Sequence, residues 1–360
     1  MTRLNQLFAE QGQSPWLDHL SRSHLRSGEL ERLVGAGIRG ATANPTTLEQ
    51  AIESSNDYDA QLKSLTRRHI GVEDAYWDLI IDDIVHALHV LRPLYDDTRG
   101  NDGFASLELS PRLANNTEGS VISARSLHEQ INEPNLLLKI PATPAGIPAI
   151  RQMIADGENI KITSIFSLER YEQVIEAYLS GLEARPGDLS GIHSVAAFSL
   201  SQVDTEVDRR LGNVGTDAAL ALQGLAAVAQ AKLAYRIFKD KFSERRWETL
   251  AERGARTQRP LWAFTSTKNP TYVDTLYVDS LIGPDTINTM SEQTIDAFED
   301  HGRVARTVDQ GVGDAAQVFE GLQRVGINAG DVGRTLEQQA VTAFERSYAE
   351  LLVTLSAKAR

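Results

Sequence analysis

The chain has 360 residues, with 49 acidic against 36 basic side chains and a net charge of −13 at pH 7. That balance excludes a nucleic-acid binder of the usual kind, which gathers cations to replace phosphate counter-ions. A hydrophobic share of 41% excludes a disordered or fibrous chain. Cysteine is absent, so there is no disulfide, thiolate metal site or cysteine nucleophile. No apolar run approaches the ~20 residues needed to span a bilayer, and the first residues lack the apolar stretch of a signal peptide. A cytoplasmic protein without membrane contact is expected.

Leu4, Leu7 and Phe8 predict a short N-terminal helix within residues 1–13 that packs on the body of the protein. Strands are predicted at WLDHL (16–20) and GIRGATAN (37–44), and Thr46 and Glu49 have capping-box spacing for a helix after Pro45. Residues 75–91 are periodic at helical spacing and are expected to end before Pro93. FASLELS (104–110) reads as a strand, SVISARSLHEQI (120–131) as a helix, and NLLLKI (135–140) as a strand fenced by two prolines. A helix from about Pro148 to Gly157, the strand IKITSIF (160–166) and a helix over 168–184 follow. Further strands are IHSVAAFSL (192–200), PLWAFTS (260–266) and DTINTM (285–290), with a long alanine-rich helical region over 216–253 and a C-terminal helix over 335–360. No linker or composition shift divides the chain, so 1–360 reads as one domain. About eight strand–helix pairs without a boundary predict a single (β/α)8 barrel, class α/β, with extra helices at both ends and in an insertion.

Barrel strands are buried on both faces and normally read as continuous apolar runs, so the polar interruptions carry the information. In NLLLKI, alternation sets Leu136, Leu138 and Ile140 on one face and Leu137 and Lys139 on the other. Burial of an ammonium among such neighbours lowers its pKa, which supplies the neutral amine a Schiff-base lysine needs. The plainer reading of Lys139 is a lysine at a strand end whose amine reaches solvent. Neighbouring strands weaken it. Ser106, Glu108 and Ser110 share one face of their strand, Lys161 and Thr163 share another, Thr42 pairs with Asn44, and Asp18 lies on the first strand. In a barrel these faces converge at one end of the interior, where this fold places active sites. A carboxylate, an amide and two lysines gathered there make a site for carbonyl chemistry.

Other features read as structural. Asp82, His86 and His89 fall at helical spacings but sit on the polar side of an amphipathic helix, too few ligands for a metal site. GVG at 311–313 lacks the third glycine and the preceding strand of a dinucleotide fingerprint. Arg245, Arg246, Arg253 and Arg256 read as a solvated basic face, and the four tryptophans as core.

GATANPTT (40–47), LELSPRLANNT (107–117), LLLKIPATPAGIPAI (136–150), ITSIFSLERYEQVIEAYLSGLE (162–183), VDTEVDRRL (203–211), TSTKNPTYVD (265–274) and LIGPDTINTM (281–290) together resemble the motifs of transaldolase, in family order and over most of the chain. The resemblance is closest to the longer bacterial type. It implies a class I, Schiff-base transferase on a (β/α)8 barrel that moves a dihydroxyacetone unit from sedoheptulose 7-phosphate or fructose 6-phosphate to an aldose phosphate. It implies no metal and no organic cofactor, small sugar phosphates as partners, a place in pentose phosphate metabolism, and either a monomer or a homodimer. Carried over position by position, Lys139 forms the imine and Glu108 acts as acid and base through a water held by Thr163. Asp18 takes the proton of the donor hydroxyl during C–C cleavage, Thr42 and Asn44 orient the donor, and Lys268 supplies a cation for the substrate phosphate, with Ser266 beside it.

Some positions depart from the family pattern. Lys161 stands where the family has an asparagine, Ala197 where it has a serine, and Gln202 where it has the phosphate-binding arginine. Ser110 and Asn116 replace aspartates and Ser266 replaces a glycine. A second amine beside Lys139 lowers the pKa of both by repulsion; the alternatives for it are a replacement phosphate contact or the imine-former itself. Losing the cation at 202 weakens phosphate binding by about 2–3 kcal/mol. Three functional readings follow: a transaldolase with a rearranged phosphate site, the same chemistry turned to an unphosphorylated or unusual sugar, and a non-catalytic binding protein. Retention of Asp18, Glu108, Lys139 and Thr163 speaks against the third.

Overall fold

Eight short segments rich in β-branched, leucine and alanine residues pair in chain order. They are β1 (Gln13–Leu17), β2 (Gly40–Thr42), β3 (Phe104–Glu108), β4 (Leu136–Pro141), β5 (Ile160–Ile165), β6 (Ser194–Ser199), β7 (Arg259–Ala263) and β8 (Thr286–Met290). Every pair is parallel, and β8 closes on β1. The computed structural model describes residues 1–43 and 45–359, backbone only at 45–47, and shows a (β/α)8 barrel as expected.

Alternation along each strand sorts the core into two layers. Leu136, Leu138, Ile140, Ile160 and Ile162 face outward into the large cluster shared with the helices. Trp16, Phe104, Leu137, Val195, Leu261 and Ile287 form a separate cluster that fills the barrel interior. Gly40 belongs to this packing, because a Cβ there would lie 2.5 Å from the Trp16 ring. Trp262 faces the outer layer, where its Nε1 donates to the Leu281 carbonyl at 3.1 Å.

The N-terminal end of the barrel is plugged by a charged cluster. Asp102 is fully buried and accepts from Ser14 Oγ at 2.9 Å, Arg39 Nε at 2.7 Å and Arg259 Nη2 at 3.0 Å. The N-terminal helix, Arg3–Gln11, buries Leu4 and Leu7, while Phe8 stays at the surface with the Arg39 guanidinium 3.4 Å from its ring centre.

Several boundaries differ from the expectation. The first strand begins at Gln13 and ends at Leu17, so Asp18 lies just past it at the barrel mouth. The helix expected to stop before Pro93 runs from Val72 to Asp97. Pro93 sits on its exposed side, where water can meet the carbonyl that the proline leaves unpaired. The alanine-rich region is not one helix but three pieces, Asp217–Leu220, Ala226–Lys241 and Arg245–Ala251. Three of the four arginines there are tied down rather than solvated: Arg246 forks onto Glu176 and Glu183, Arg253 donates to the Arg185 carbonyl, and Arg256 donates to the Arg99 and Ser190 carbonyls, while Arg245 is exposed as expected. The capping box at Thr46 falls on side chains outside the described residues. Among the described residues no helix is long and apolar enough to cross a membrane.

The C-terminal helix starts at Ala329 and runs to Lys358. It crosses the C-terminal mouth of the barrel and is pinned along its length. Arg210 holds Asp331 at 2.5 Å, Arg170 holds Glu337 at 3.0 Å, Tyr348 donates to Glu73 at 3.0 Å, and Lys358 donates to the Ser55 carbonyl at 2.9 Å.

Candidate active site

Strand register assembles the centre of the site. Glu108 on β3 is level with Lys139 on β4, and Lys139 is level with Lys161 on β5. All three point into the barrel and are nearly inaccessible, at 6%, 4% and 3% exposure. Lys139 Nζ lies 2.7 Å from Glu108 Oε2 and donates to the Ala43 carbonyl at 2.6 Å. Thr163, one step further along the same face of β5 as Lys161, donates from Oγ1 to Glu108 Oε1 at 3.4 Å.

Lys161 differs from its neighbour. Among the described residues it has no ion-pair partner and no hydrogen-bond acceptor, and the Trp16 ring centre lies 5.7 Å from its Nζ. Burial first and the charge of Lys139 second lower its pKa to about 7, with Asp18 and Glu108 offsetting part of the effect.

These residues line a cavity of about 240 Å³ together with Asp18, Thr42 and Gln202. Gln202 reaches it from the first turn of the helix Leu200–Val214, which follows β6 directly. Asn44 lies outside the described residues. Two expected members are elsewhere. Ser266 bonds with Ser291 and Thr294 at 3.1 and 2.7 Å and does not line the cavity. Lys268 is exposed and lines a separate surface pocket with Asp204, Asp208 and Tyr272. The cause is the chain path after β7. The strand ends at Ala263, and Phe264 takes the cavity-facing place with a φ of 54°. Ser266 and Lys268 follow beyond that bend.

Other site residues were not legible from strand alternation. His19, Ser164 and Phe264 all line the cavity and all hold a positive φ, at 65°, 59° and 54°. Non-glycine residues rarely adopt that conformation, and it concentrates at functional sites. At Ser164 the register between β5 and β6 breaks, the irregularity falling between Ile162 and Ile165. The roof is the C-terminal helix, through Ala340, Ala343, Phe344 and Ser347. Thr289 on β8, Ser199 on β6 and Ala263 on β7 are further members, to which alternation with Ile287, Val195 and Leu261 points. The lining is thus divided: Glu108, Lys139 and Lys161 on the strands, and Phe166, Phe264, Phe344, Ala340 and Ala343 past the strand ends and on the C-terminal helix. Among the described residues no arginine lines it.

A parallel (β/α)8 barrel with a buried amine–carboxylate pair at its C-terminal mouth belongs to the class of barrels equipped for carbonyl chemistry. The family model described as transaldolase/fructose-6-phosphate aldolase matches residues 15–355, and the chain belongs to that family. A transaldolase of Thermobifida fusca is 46% identical over 352 residues, covering 96% of both chains. "Transaldolase 1" of Streptomyces avermitilis is 44% identical over 357 residues, 98% of this chain and 94% of that protein. A transaldolase of Mycobacterium ulcerans is 46% identical over 347 residues, 95% and 93% of the two chains.

Proposed function

We propose that this protein is a transaldolase that works through an imine on Lys139. Relatives of that name at 44–46% identity over nearly the whole chain support transfer of a dihydroxyacetone unit between sugar phosphates. They favour it over a re-purposed barrel or a binding protein. The observation that carries the residue assignment is the Glu108–Lys139 pair, buried, level in register and open to the cavity.

In this reading the Lys139 amine adds to the ketose carbonyl, and Glu108 moves the protons that turn the carbinolamine into an iminium and water. The iminium nitrogen is an electron sink. When Asp18 takes the proton of the hydroxyl beside the scissile bond, the C–C electron pair moves onto the imine carbon framework and the product aldehyde leaves. The remaining enamine keeps the three-carbon unit until an acceptor aldehyde arrives, and the same steps run in reverse. Thr42 sits where it can orient the donor. The enclosed site, roofed by the C-terminal helix, protects the enamine from water. We place the enzyme in the cytoplasm, where sugar phosphates are found.

Borohydride trapping with fructose 6-phosphate, followed by peptide mass mapping, tests the assignment. A reduced adduct on the Lys139 peptide is expected. An adduct elsewhere, or none with phosphorylated and free ketoses alike, would overturn it.

A further inference from the structure

The ion pair that marks Lys139 also withholds it from reaction. As the ammonium of the ion pair with Glu108 at 2.7 Å, donating also to the Ala43 carbonyl at 2.6 Å, Lys139 has no lone pair to attack with. Some group must take its proton, and a proton must reach the carbonyl oxygen once addition makes it an alkoxide. Glu108 is already engaged at both oxygens, with Lys139 at Oε2 and with Thr163 at Oε1.

The next position in register is Lys161. It is buried, it lines the same cavity, and its amine makes no hydrogen bond or ion pair among the described residues. The charged groups around it are Lys139 from β4, Glu108 from β3 and Asp18 past the end of β1. Its partner position on β6 is the apolar Val195. Nothing in the barrel's packing requires a lysine there: the interior cluster next to it is made of Trp16, Leu137 and Val195.

We infer that Lys161 is a second catalytic amine, which accepts the proton of Lys139 and delivers it to the substrate's carbonyl oxygen. The inference rests on the imine reading of Lys139. The steps balance. The Lys139 ammonium passes a proton to the neutral Lys161 amine. The freed Lys139 lone pair forms the C–N bond as the C=O π pair moves to oxygen, and the Lys161 ammonium protonates that oxygen. Glu108 then takes a proton from nitrogen and gives it to the departing hydroxyl. One ammonium and one ketone have become one iminium and one water, with Lys161 neutral again. An amine titrating at about 7 is matched to such a relay at neutral pH.

The test is the rate at which the borohydride-trappable adduct forms with fructose 6-phosphate in the unaltered protein, Lys161→Met and Lys161→Arg. Both variants are expected to reach the same final adduct on Lys139, formed about 10²-fold more slowly. In the unaltered protein the rate falls as pH drops through about 7, and that limb is missing from the variants. An unchanged rate in Lys161→Met, with the adduct still on Lys139, overturns the inference and leaves the imine reading intact. So does rescue by Lys161→Arg, which keeps the charge but accepts no proton. If the variants form no adduct at all, the pH profile of the unaltered protein decides, and a flat profile across neutrality overturns the relay. An adduct on Lys161 itself would sink both readings together.

Discussion

The two ends of the barrel bury charge in opposite ways. At the N-terminal end, Asp102 is answered on both oxygens by Arg39, Arg259 and Ser14. At the C-terminal end, Lys161 is also buried but has no hydrogen bond or ion pair among the described residues, beside three non-glycine residues in a left-handed conformation. A buried charge without a partner is costly, and strained backbone persists only where the surrounding structure enforces it. The first end is built for stability. The second gives up stability for an amine whose proton is loosely held. Substitutions at the two ends should therefore separate cleanly into those that unfold the protein and those that silence it.

The largest effect belongs to the mouth. Lys139→Ala should lower turnover by at least about 10³-fold, as loss of a covalent nucleophile does, while the far-UV circular dichroism spectrum stays that of a folded barrel. Substantial retained turnover would place the imine on another residue. At the other end, Asp102→Ala strands two arginines in the barrel floor. Breaking a buried pair from one side costs about 3–5 kcal/mol, to be read as a drop in the urea midpoint. A loss under 1 kcal/mol would mean that the floor is solvated and that the contrast between the ends is false.

Much of this contrast was legible in the sequence, because a barrel strand alternates strictly between two environments. Lys139, Glu108, Thr163 and Lys161 could be placed on one surface from that rule alone, and the register of β3, β4 and β5 brings them together. What alternation cannot give is the chain path after a strand ends. Ser266 and Lys268 were expected beside the substrate, but the bend at Phe264 turns them away. Nor does local sequence say which long-range surface a helix covers. Ala340, Ala343 and Phe344 read as an ordinary helical stretch, and it takes distant partners such as Arg170, Arg210 and Glu73 to lay that helix over the mouth. Asp102 was missed for a related reason: its arginine partners stand 63 and 157 residues away.

Lys161→Met sharpens the comparison from the stability side. The folded pKa of Lys161 is depressed to about 7 from 10.5. Below about 7 it is protonated in both folded and unfolded states, so the folded protein bears the full cost of a buried charge. Above 10.5 it is neutral in both and the cost is gone. Methionine should therefore stabilise the protein by about 2 kcal/mol at pH 6, with the gain shrinking steadily toward pH 10. This is the reverse of Asp102→Ala in sign. Urea unfolding of the two variants across that range reads both, and a destabilised Lys161→Met at low pH would mean that the amine has found an anion in the folded state.

The smallest effect concerns the apolar mouth. Gln202 lines the cavity from the first turn of its helix, close to the helix N-terminus, where an anion is already favoured. It brings an amide where a guanidinium would add a charge-assisted pair of hydrogen bonds to a phosphate. Gln202→Arg should lower KM for fructose 6-phosphate about tenfold, a gain of roughly 1.4 kcal/mol, and leave kcat within about twofold, because the phosphate is distant from the bond that breaks. The same variant assayed with free fructose should gain nothing, which separates phosphate recognition from a general change in the mouth. Equal improvement with both sugars would mean that the arginine reshapes the mouth rather than binding the anion. No improvement with either would place the phosphate against another part of the cavity, and the roof residues Ala343 and Ser347 would be the next positions at which to introduce a cation.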